Sequence, residues 1–457
     1  MNNFDSVRPV TVLDMLDARD RRAARQRELA GAHRCPLISF TMNIAGPVKN
    51  TPLIQRGFDE GLRLLKNQLR AAGIPLLYME EIHEFTGNEA LLAPSSSPEI
   101  LKKITSEIED FDRLGRLFDM DVIREDGSKV DREELGFPTR TCLICGKPAK
   151  DCARSRTHTA AELQAKTKEI LTAAVREADS ETAADLAVRS LLFEAAATPK
   201  PGLVDRANAG SHSDMDIFTF LSSAGALRPY FKACTLAGMD TRDLPAPETF
   251  KKLQVLGRRA EGAMYEATDG VNTHKGAVFS LGILCGALGR LPRAAWSDPE
   301  TVLAECGKET EGLTETYFPN LTEENARTAG EILYVRHGIR GVRGQAEDGF
   351  PAVLRYGLPV LEEGLAGGLS LNDVGCAALL HMMVHETDTN MIKRSDLATY
   401  DKVINEVRGI LEKNKFPGPE MLAVLDERFI AMNLSPGGTA DLLAMTYFLY
   451  FLKTAGK

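Results

Sequence analysis

The sequence predicts two domains of different class: an N-terminal α/β domain, built as a ferredoxin-like sandwich with a Cys-rich tail, and a C-terminal all-α helical bundle. Three observations carry this. At 457 residues the chain is too long for one typical core. Between residues 36 and 123 the patterns run strand, helix, strand, strand, helix, strand. Beyond about Ala184 few β-branched alternations occur, and Ala/Leu/Gly-rich helical patterns alternate with polar Gly/Asn/Asp loops.

Taken in order, LDMLDARDRRAARQRELAGA (within 11–32) reads as a charged helix, and PLISFTMNI (36–44) alternates as a strand does. GPVKNTP (46–52) breaks that strand and opens an amphipathic helix through about Ala72, which Gly73 ends. LLYMEEIHEF is the second strand, a turn at Thr86-Gly87-Asn88 leads to the third (EALLAP), SSSPEI caps a helix to about Phe111, and RLGRLFDMDVI is the fourth strand. From Thr159 to about Ala184 the chain is Ala-, Glu- and Lys-rich, helical in propensity and polar, which suits a connector. The expected layout is a domain at 20–160, a helical connector at 161–184 and a second domain at 185–457.

A formal net charge of -9 and a pI near 5.6 give no global basic field, so nucleic acid is not an expected partner and any phosphate binding is local. No apolar run reaches the ~20 residues that span a bilayer, and MNNFDSVRPVTVLDMLDARDRR lacks a secretory apolar segment, so a cytoplasmic protein independent of membranes is expected. Eight cysteines in such a chain do not make a disulfide scaffold, and a close Cys cluster in the cytosol points toward metal.

In the N-terminal half, Asp119 and Asp121 lie two apart on a predicted strand, so both carboxylates face one way and can share Mg²⁺ in phosphoryl-type transfer; an acidic strand edge has the same pattern. CLICGKPAKDCARSRTH supplies Cys142, Cys145, Cys152 and His158, which fit either a tetrahedral zinc site or a bare thiol cluster, with Arg154 and Arg156 beside them as phosphate ligands or solvated cations.

The C-terminal half holds five polar loops, each at the end of an apolar helix. TPKPGLVDRANAGSHSDMDIFTF contributes Lys200, His212, Asp214 and Asp216, with Ser213 or Asp214 as an ordinary N-cap. GVNTHKGAVFSLGILCGALG places Asn272, Thr273, His274 and Lys275 at the start of a helix apolar on every side, an anion site if Thr273 is not simply its cap. Arg340 and Arg343 lie among glycines, where they could grip a polyphosphate or occupy a surface loop. Asp388, Asn390 and Arg394 follow a helix that starts at Ser370, while His381 and His385 fit packing or surface roles. NLSPGGTADLLA turns through Ser435, Gly437 and Gly438 into a helix with Thr439 as cap and Asp441 in its first turn. Five such loops suggest one pocket at one end of a bundle, with acids for Mg²⁺ and cations for phosphates.

ISFTMNIAGPVKNTP, EEIHEFTGNEA, RLGRLFDMDVI and CGKPAKDCARSRTH resemble the apo-citrate lyase phosphoribosyl-dephospho-CoA transferase family, also called holo-citrate-lyase acyl-carrier-protein synthase. ATPKPGLVDRANAGSHSDMD, GVNTHKGAVFSLGILCGA, DTN and NLSPGGTADLLA resemble triphosphoribosyl-dephospho-CoA synthase. Together the resemblances cover nearly the whole chain and imply a fused, bifunctional transferase. In the C-terminal domain the 2′-hydroxyl of dephospho-CoA would attack the ribose C1′ of ATP and release adenine. A serine of the citrate lyase acyl carrier protein (gamma subunit) would then attack the product's α-phosphate in the N-terminal domain and release pyrophosphate. On this reading Asp214, Asp216, Asp388 and Asp441 are metal or base candidates, His274 and Lys275 hold ATP phosphates, Asp119 and Asp121 hold Mg²⁺, and Lys49 meets the leaving pyrophosphate. The alternative is one catalytic domain and one that docks the carrier.

Overall fold

Alternation of Ile38 and Phe40 with Ser39 and Thr41 gives β1 (Leu37–Met42) two unlike faces, and the sheet is built around that difference. A computed structural model describes residues 8–454 and divides the chain into two units, with the boundary between Ala178 and Asp179. In the first unit β1 pairs with β3 (Gly87–Pro94) and β4 (Phe118–Ile123), and β3 pairs with β2 (Leu76–Glu84). All pairings are antiparallel, in the order β2-β3-β1-β4.

On one sheet face Ile38, Phe40, Ala90, Leu92, Met120 and Val122 are buried with Phe58, Leu62 and Leu65 of α2 (Pro52–Ala71) and Leu101 and Ile108 of α3 (Pro98–Phe111). Thr51 and Ser97 cap these helices, each with Pro at the first helical position. The opposite face, with Leu37, Leu91, Ala93 and Ile123, receives Leu29 and Ala30 of α1 (Val12–His33), so the charged helix forms a further layer. Thr11 and Asp14 close a capping box at its start. β4 begins later than the sequence suggests, because residues 115–117 form a 3₁₀ turn. There a Cβ on Gly115 would fall 2.4 Å from the Glu109 carbonyl oxygen.

After α4 (Ala149–Ser155), the Ala-, Glu- and Lys-rich stretch is helical and continues without a break as α5 (Ala160–Ala196), within which the unit boundary falls. The described residues of the second unit form helices and no strand. They are α6 (Ile217–Asp240), α7 (Ala246–Ala267), α8 (Lys275–Arg290), α9 (Pro299–Glu309), α10 (Leu313–Tyr317), α11 (Ala329–His337) and α12 (Gly341–Glu347). Then follow α13 (Leu358–Ala366), α14 (Leu371–Met383), α15 (Thr389–Arg394), α16 (Leu397–Lys413), α17 (Pro419–Ala431) and α18 (Gly437–Thr454).

At the centre of this unit, α8 is buried from Ala277 to Gly289 apart from the half-buried Phe279. Its glycines admit α6 at backbone contact, since a Cβ on Gly289 would lie 2.0 Å from the Thr235 carbonyl oxygen and one on Gly238 2.0 Å from that of Gly286. None of the helices is long and apolar enough to cross a membrane among the described residues.

Candidate active sites

The polar loops of the second unit meet in a cavity of about 600 Å³. Its lining includes His212, Asp214, Asn272, His274, Lys275, Asn390, Arg394, Ser435, Gly437, Gly438 and Asp441, all singled out in the sequence, together with Glu194 and Lys393, which were not. Glu194 is a single acid in an apolar helical stretch, with nothing in its periodicity to mark it, whereas Lys393 follows Asn390 by one helical turn. The cavity is graded: Glu194 and His274 are buried, while Lys275 and Lys393 reach solvent and Arg394 is half-buried.

Glu194 is held by Lys200, which is 1% exposed and donates from Nζ to both the Glu194 carboxylate and its carbonyl oxygen. Burial pushes the Glu194 carboxyl up, and Lys200 opposes the shift. The Lys200 loop is organised by Asp205, whose carboxylate accepts from Thr198 Oγ1 at 2.6 Å, Lys200 N at 3.0 Å and Ala207 N at 2.6 Å. Asp426 ties the same loop to α17, accepting from Gly202 N at 2.9 Å and Asn208 Nδ2 at 2.7 Å.

Thr273 is not the cap of α8: His274 occupies the N-cap position without a side-chain cap bond, and Thr273 Oγ1 donates instead to Ser223 Oγ at 2.8 Å. Ser223 Oγ also stands 2.7 Å from His274 Nδ1, and His274 Nε2 is a buried atom with no partner. Burial, with Lys200 adding repulsion, takes the His274 pKa down to about 3, so this side chain is a neutral donor rather than a cation. Asp441 is pushed well above the usual carboxylate range by burial and by Glu194 and Asp388, and only the Ala277 N–H counteracts this. Near the surface, Arg394 donates to Ser211 O at 2.9 Å, Asn433 Oδ1 at 3.1 Å and His212 Nδ1 at 3.2 Å. His212 Nε2 therefore carries the proton directed at Ser435 Oγ, 3.0 Å away.

Other candidates lie elsewhere. Asp216 caps α6, accepting from Thr219 N at 2.9 Å; neither Ser213 nor Asp214 does so. Both Asp388 oxygens are committed, Oδ1 to Asn390 N and Met391 N and Oδ2 to Thr439 N and Oγ1. Thr439 thus sits inside α18 and latches it to α15 instead of capping it. Arg340 pairs with Glu347 and Asp348 in a neighbouring cavity of about 330 Å³ that Glu386 and Asp388 also line. Arg343 lies over the Tyr317 ring, 4.8 Å from its centroid. Lys275 pairs with Glu261 at 2.9 Å.

In the first unit, β1–β4 register sets Asp121 opposite Ser39 and Asp119 opposite Thr41, all on the face that α1 partly covers. Burial and then Asp121 raise the Asp119 carboxyl, while Arg140, 3.7 Å away, lowers it. Asp121 pairs with Lys129. Over β2 and β3, α1 brings Arg21, Arg22 and Arg25 to a concavity of about 290 Å³, with Arg22 at 3.2 Å from Glu89 and Arg25 at 2.8 Å from Glu80. These arginines look in the sequence like an ordinary charged helix. Lys49 donates from Nζ to Ile44 O at 2.5 Å, and burial lowers its pKa. Arg154 and Arg156 are exposed, and Cys142, Cys145, Cys152 and His158 converge near the end of the unit.

Two polar sites, one in each unit, each combining carboxylates with cations suited to phosphate, are the equipment of a bifunctional transferase. Comparison with known proteins agrees. The family model for apo-citrate lyase phosphoribosyl-dephospho-CoA transferase matches residues 10–174, and that for ATP:dephospho-CoA triphosphoribosyl transferase matches residues 180–457. Protein CitXG of Leuconostoc mesenteroides subsp. cremoris is 34% identical over 470 residues, covering 98% of this chain and 98% of its own. Protein CitXG of Haemophilus influenzae is 34% identical, covering 97% of this chain and 96% of its own. A 2-(5''-triphosphoribosyl)-3'-dephosphocoenzyme-A synthase of Haemophilus ducreyi is 38% identical over 329 residues, covering 68% of this chain and 99% of its own. The chain belongs to the fused CitXG family, with the phosphoribosyl-dephospho-CoA transferase domain preceding the triphosphoribosyl transferase domain. It is a bifunctional transferase that synthesises and attaches the citrate lyase prosthetic group.

Proposed function

We propose that the cavity of the second unit joins ATP and 3′-dephospho-CoA into 2′-(5″-triphosphoribosyl)-3′-dephospho-CoA with release of adenine. The observation that carries this is the grading of the cavity, with the buried Glu194 and a neutral histidine inside and Lys275, Lys393 and Arg394 toward solvent. Cleavage of an N-glycosidic bond passes through an oxocarbenium-like state, which negative charge stabilises. Glu194, paired with Lys200, supplies that charge. Asp441, whose raised proton affinity suits a general base, takes the proton of the attacking 2′-hydroxyl. His274 Nε2–H donates to the departing adenine, and the outer cations hold the triphosphate. Asp214, an exposed carboxylate on the same lining, would hold a divalent cation there. Bound Mg²⁺ would supply countercharge to the triphosphate.

In the first unit, the serine hydroxyl of the citrate lyase acyl carrier protein (gamma subunit) attacks the α-phosphate of that product, a phosphodiester forms and pyrophosphate leaves. Asp119 and Asp121 share one strand face and fit Mg²⁺, and Arg22 of α1, whose charge is felt at Asp119, would meet the phosphates. The strand order and antiparallel pairing support a ferredoxin-like sandwich here, and the all-helical content supports a bundle in the second unit. On this reading the domains are residues 20–160 and 185–457, with residues 161–184 of α5 as the connector. Eight free cysteines suit work in the cytoplasm.

The test is release of adenine from ATP and Mg²⁺ with and without dephospho-CoA, with products followed by mass. Adenine appearing only with dephospho-CoA, with an adduct heavier by a triphosphoribosyl group, is the expected result. ADP or AMP in its place would end the glycosyl-transfer reading.

A further inference from the structure

The segment of the first unit between β4 and α5 contains a cluster that neither transfer step uses. In TCLICGKPAKDCARSRTH, the Cys142 N–H donates to Lys147 O at 2.6 Å and the Gly146 N–H returns to Cys142 O at 3.3 Å. Gly146 takes a φ of +72°, open to glycine without strain, and this tight turn carries Cys142 and Cys145 to one side. α4 then delivers Cys152, and the turn at Arg156 brings back His158. One ligand atom from each of these four side chains lies within 4.8 Å of all the others. Cys145 Sγ and Cys152 Sγ are 3.3 Å apart, and all the thiols are free. His158 Nε2 is shielded from solvent and has no hydrogen-bond partner, an arrangement that proteins seldom leave unsatisfied.

We propose that Cys142, Cys145, Cys152 and His158 bind one zinc ion that clamps the segment joining β4 to α5. Zinc takes four sulfur and nitrogen ligands tetrahedrally, with Zn–S of about 2.3 Å and Zn–N of about 2.0–2.1 Å, which sets ligand atoms roughly 3.5–3.8 Å apart. The observed cluster needs only small side-chain movements to reach that geometry. Iron–sulfur clusters hold their thiolates farther apart, and hard cations choose oxygen. A disulfide between Cys145 and Cys152 would leave Cys142 and His158 unexplained. Four protein ligands leave no open position, so the ion is structural. The clamp holds a segment that reaches the strand bearing Asp119. Arg140, two residues before Cys142, donates to Phe118 O at 2.5 Å and Gly115 O at 3.2 Å, and Arg116 donates to Thr141 O.

The full chain, purified without chelator and dialysed, should retain about one zinc per chain by elemental mass spectrometry. Cys145→Ser and His158→Ala should lose it, and Cys35→Ser, at a buried thiol outside the cluster, should keep it. Because a variant could fail to fold, the wild-type chain is also titrated with an organomercurial, which should release the zinc as thiols are consumed. Cobalt exchanged into the wild-type chain should show the intense visible bands of a tetrahedral thiolate site. A chain that neither holds zinc nor takes it up from zinc buffer would overturn the proposal. So would zinc retained in Cys145→Ser, or a Cys145–Cys152 disulfide in metal-free protein.

Discussion

Asp441 lies against Gly276 so closely that a Cβ on the glycine would fall 1.8 Å from Asp441 Oδ2. The first turn of α18 thereby seats a half-buried carboxyl on the backbone at the N-terminus of α8, where the positive end of the helix dipole favours it. Gly276→Ala should displace the carboxyl and lower adenine release ~10²-fold, the scale of a misplacement near 1 Å. Steady-state assay of adenine formation reads this directly, and wild-type rates in the variant would remove Asp441 from the reaction.

Asp119→Asn keeps the shape of the side chain and removes its charge. Carrier modification should fall about 10²–10³-fold when the triphosphoribosyl intermediate is supplied, with adenine release unaffected. Mass analysis of the carrier and chromatography of adenine report the two steps separately. If both activities fell together, the assignment of one reaction to each unit would fail.

His274 provides a pH test. Its folded pKa of about 3 lies below the ordinary 6.5, so the proton binds the unfolded chain more readily. The stability it contributes is whole above pH 6.5 and declines as pH falls toward 3. Two pH units into that window the loss is on the order of 2–3 kcal/mol. Urea unfolding of the second unit should show an acid slope that flattens in His274→Asn. An unchanged slope would mean that the ring is solvated.

Glu386 has the opposite sign. Burial, with Asp348 adding repulsion, raises its carboxyl to about 7, above the ordinary 4.5. Its contribution is present below pH 4.5 and is lost as pH rises through 7. The group is partly solvated, so the effect is about 1–2 kcal/mol after screening. The melting-temperature difference between wild type and Glu386→Gln should move in favour of the variant across that interval. A difference independent of pH would place the ionisation elsewhere.

Much of the secondary structure is legible locally. Thr51-Pro52 and Ser97-Pro98 announce two helices through caps and fixed proline geometry, and the alternation in Leu37–Met42 announces a strand. The cavity's loops are also legible, because polar Gly/Asn/Asp clusters against apolar helices have few other uses. The proximity of those loops is not, since Asp388 meets Thr439 and Gly202 meets Asp426 across long stretches of chain that no periodicity encodes.

By itself, then, the sequence determined the strands and helices of the first unit, the caps at Thr51 and Ser97, the two-part organisation and most of the polar side chains that face the larger cavity, all properties of neighbours within a turn or a strand. Only the tertiary structure decided which acids do more than cap a helix. Asp216 remains a cap near solvent, Asp388 is consumed by four donors, and Glu194, unremarkable in its helix, comes to line the cavity. The physical reason is that a carboxyl's chemistry depends on its distance from water and on the charges around it. Both are set by chain segments far away in sequence.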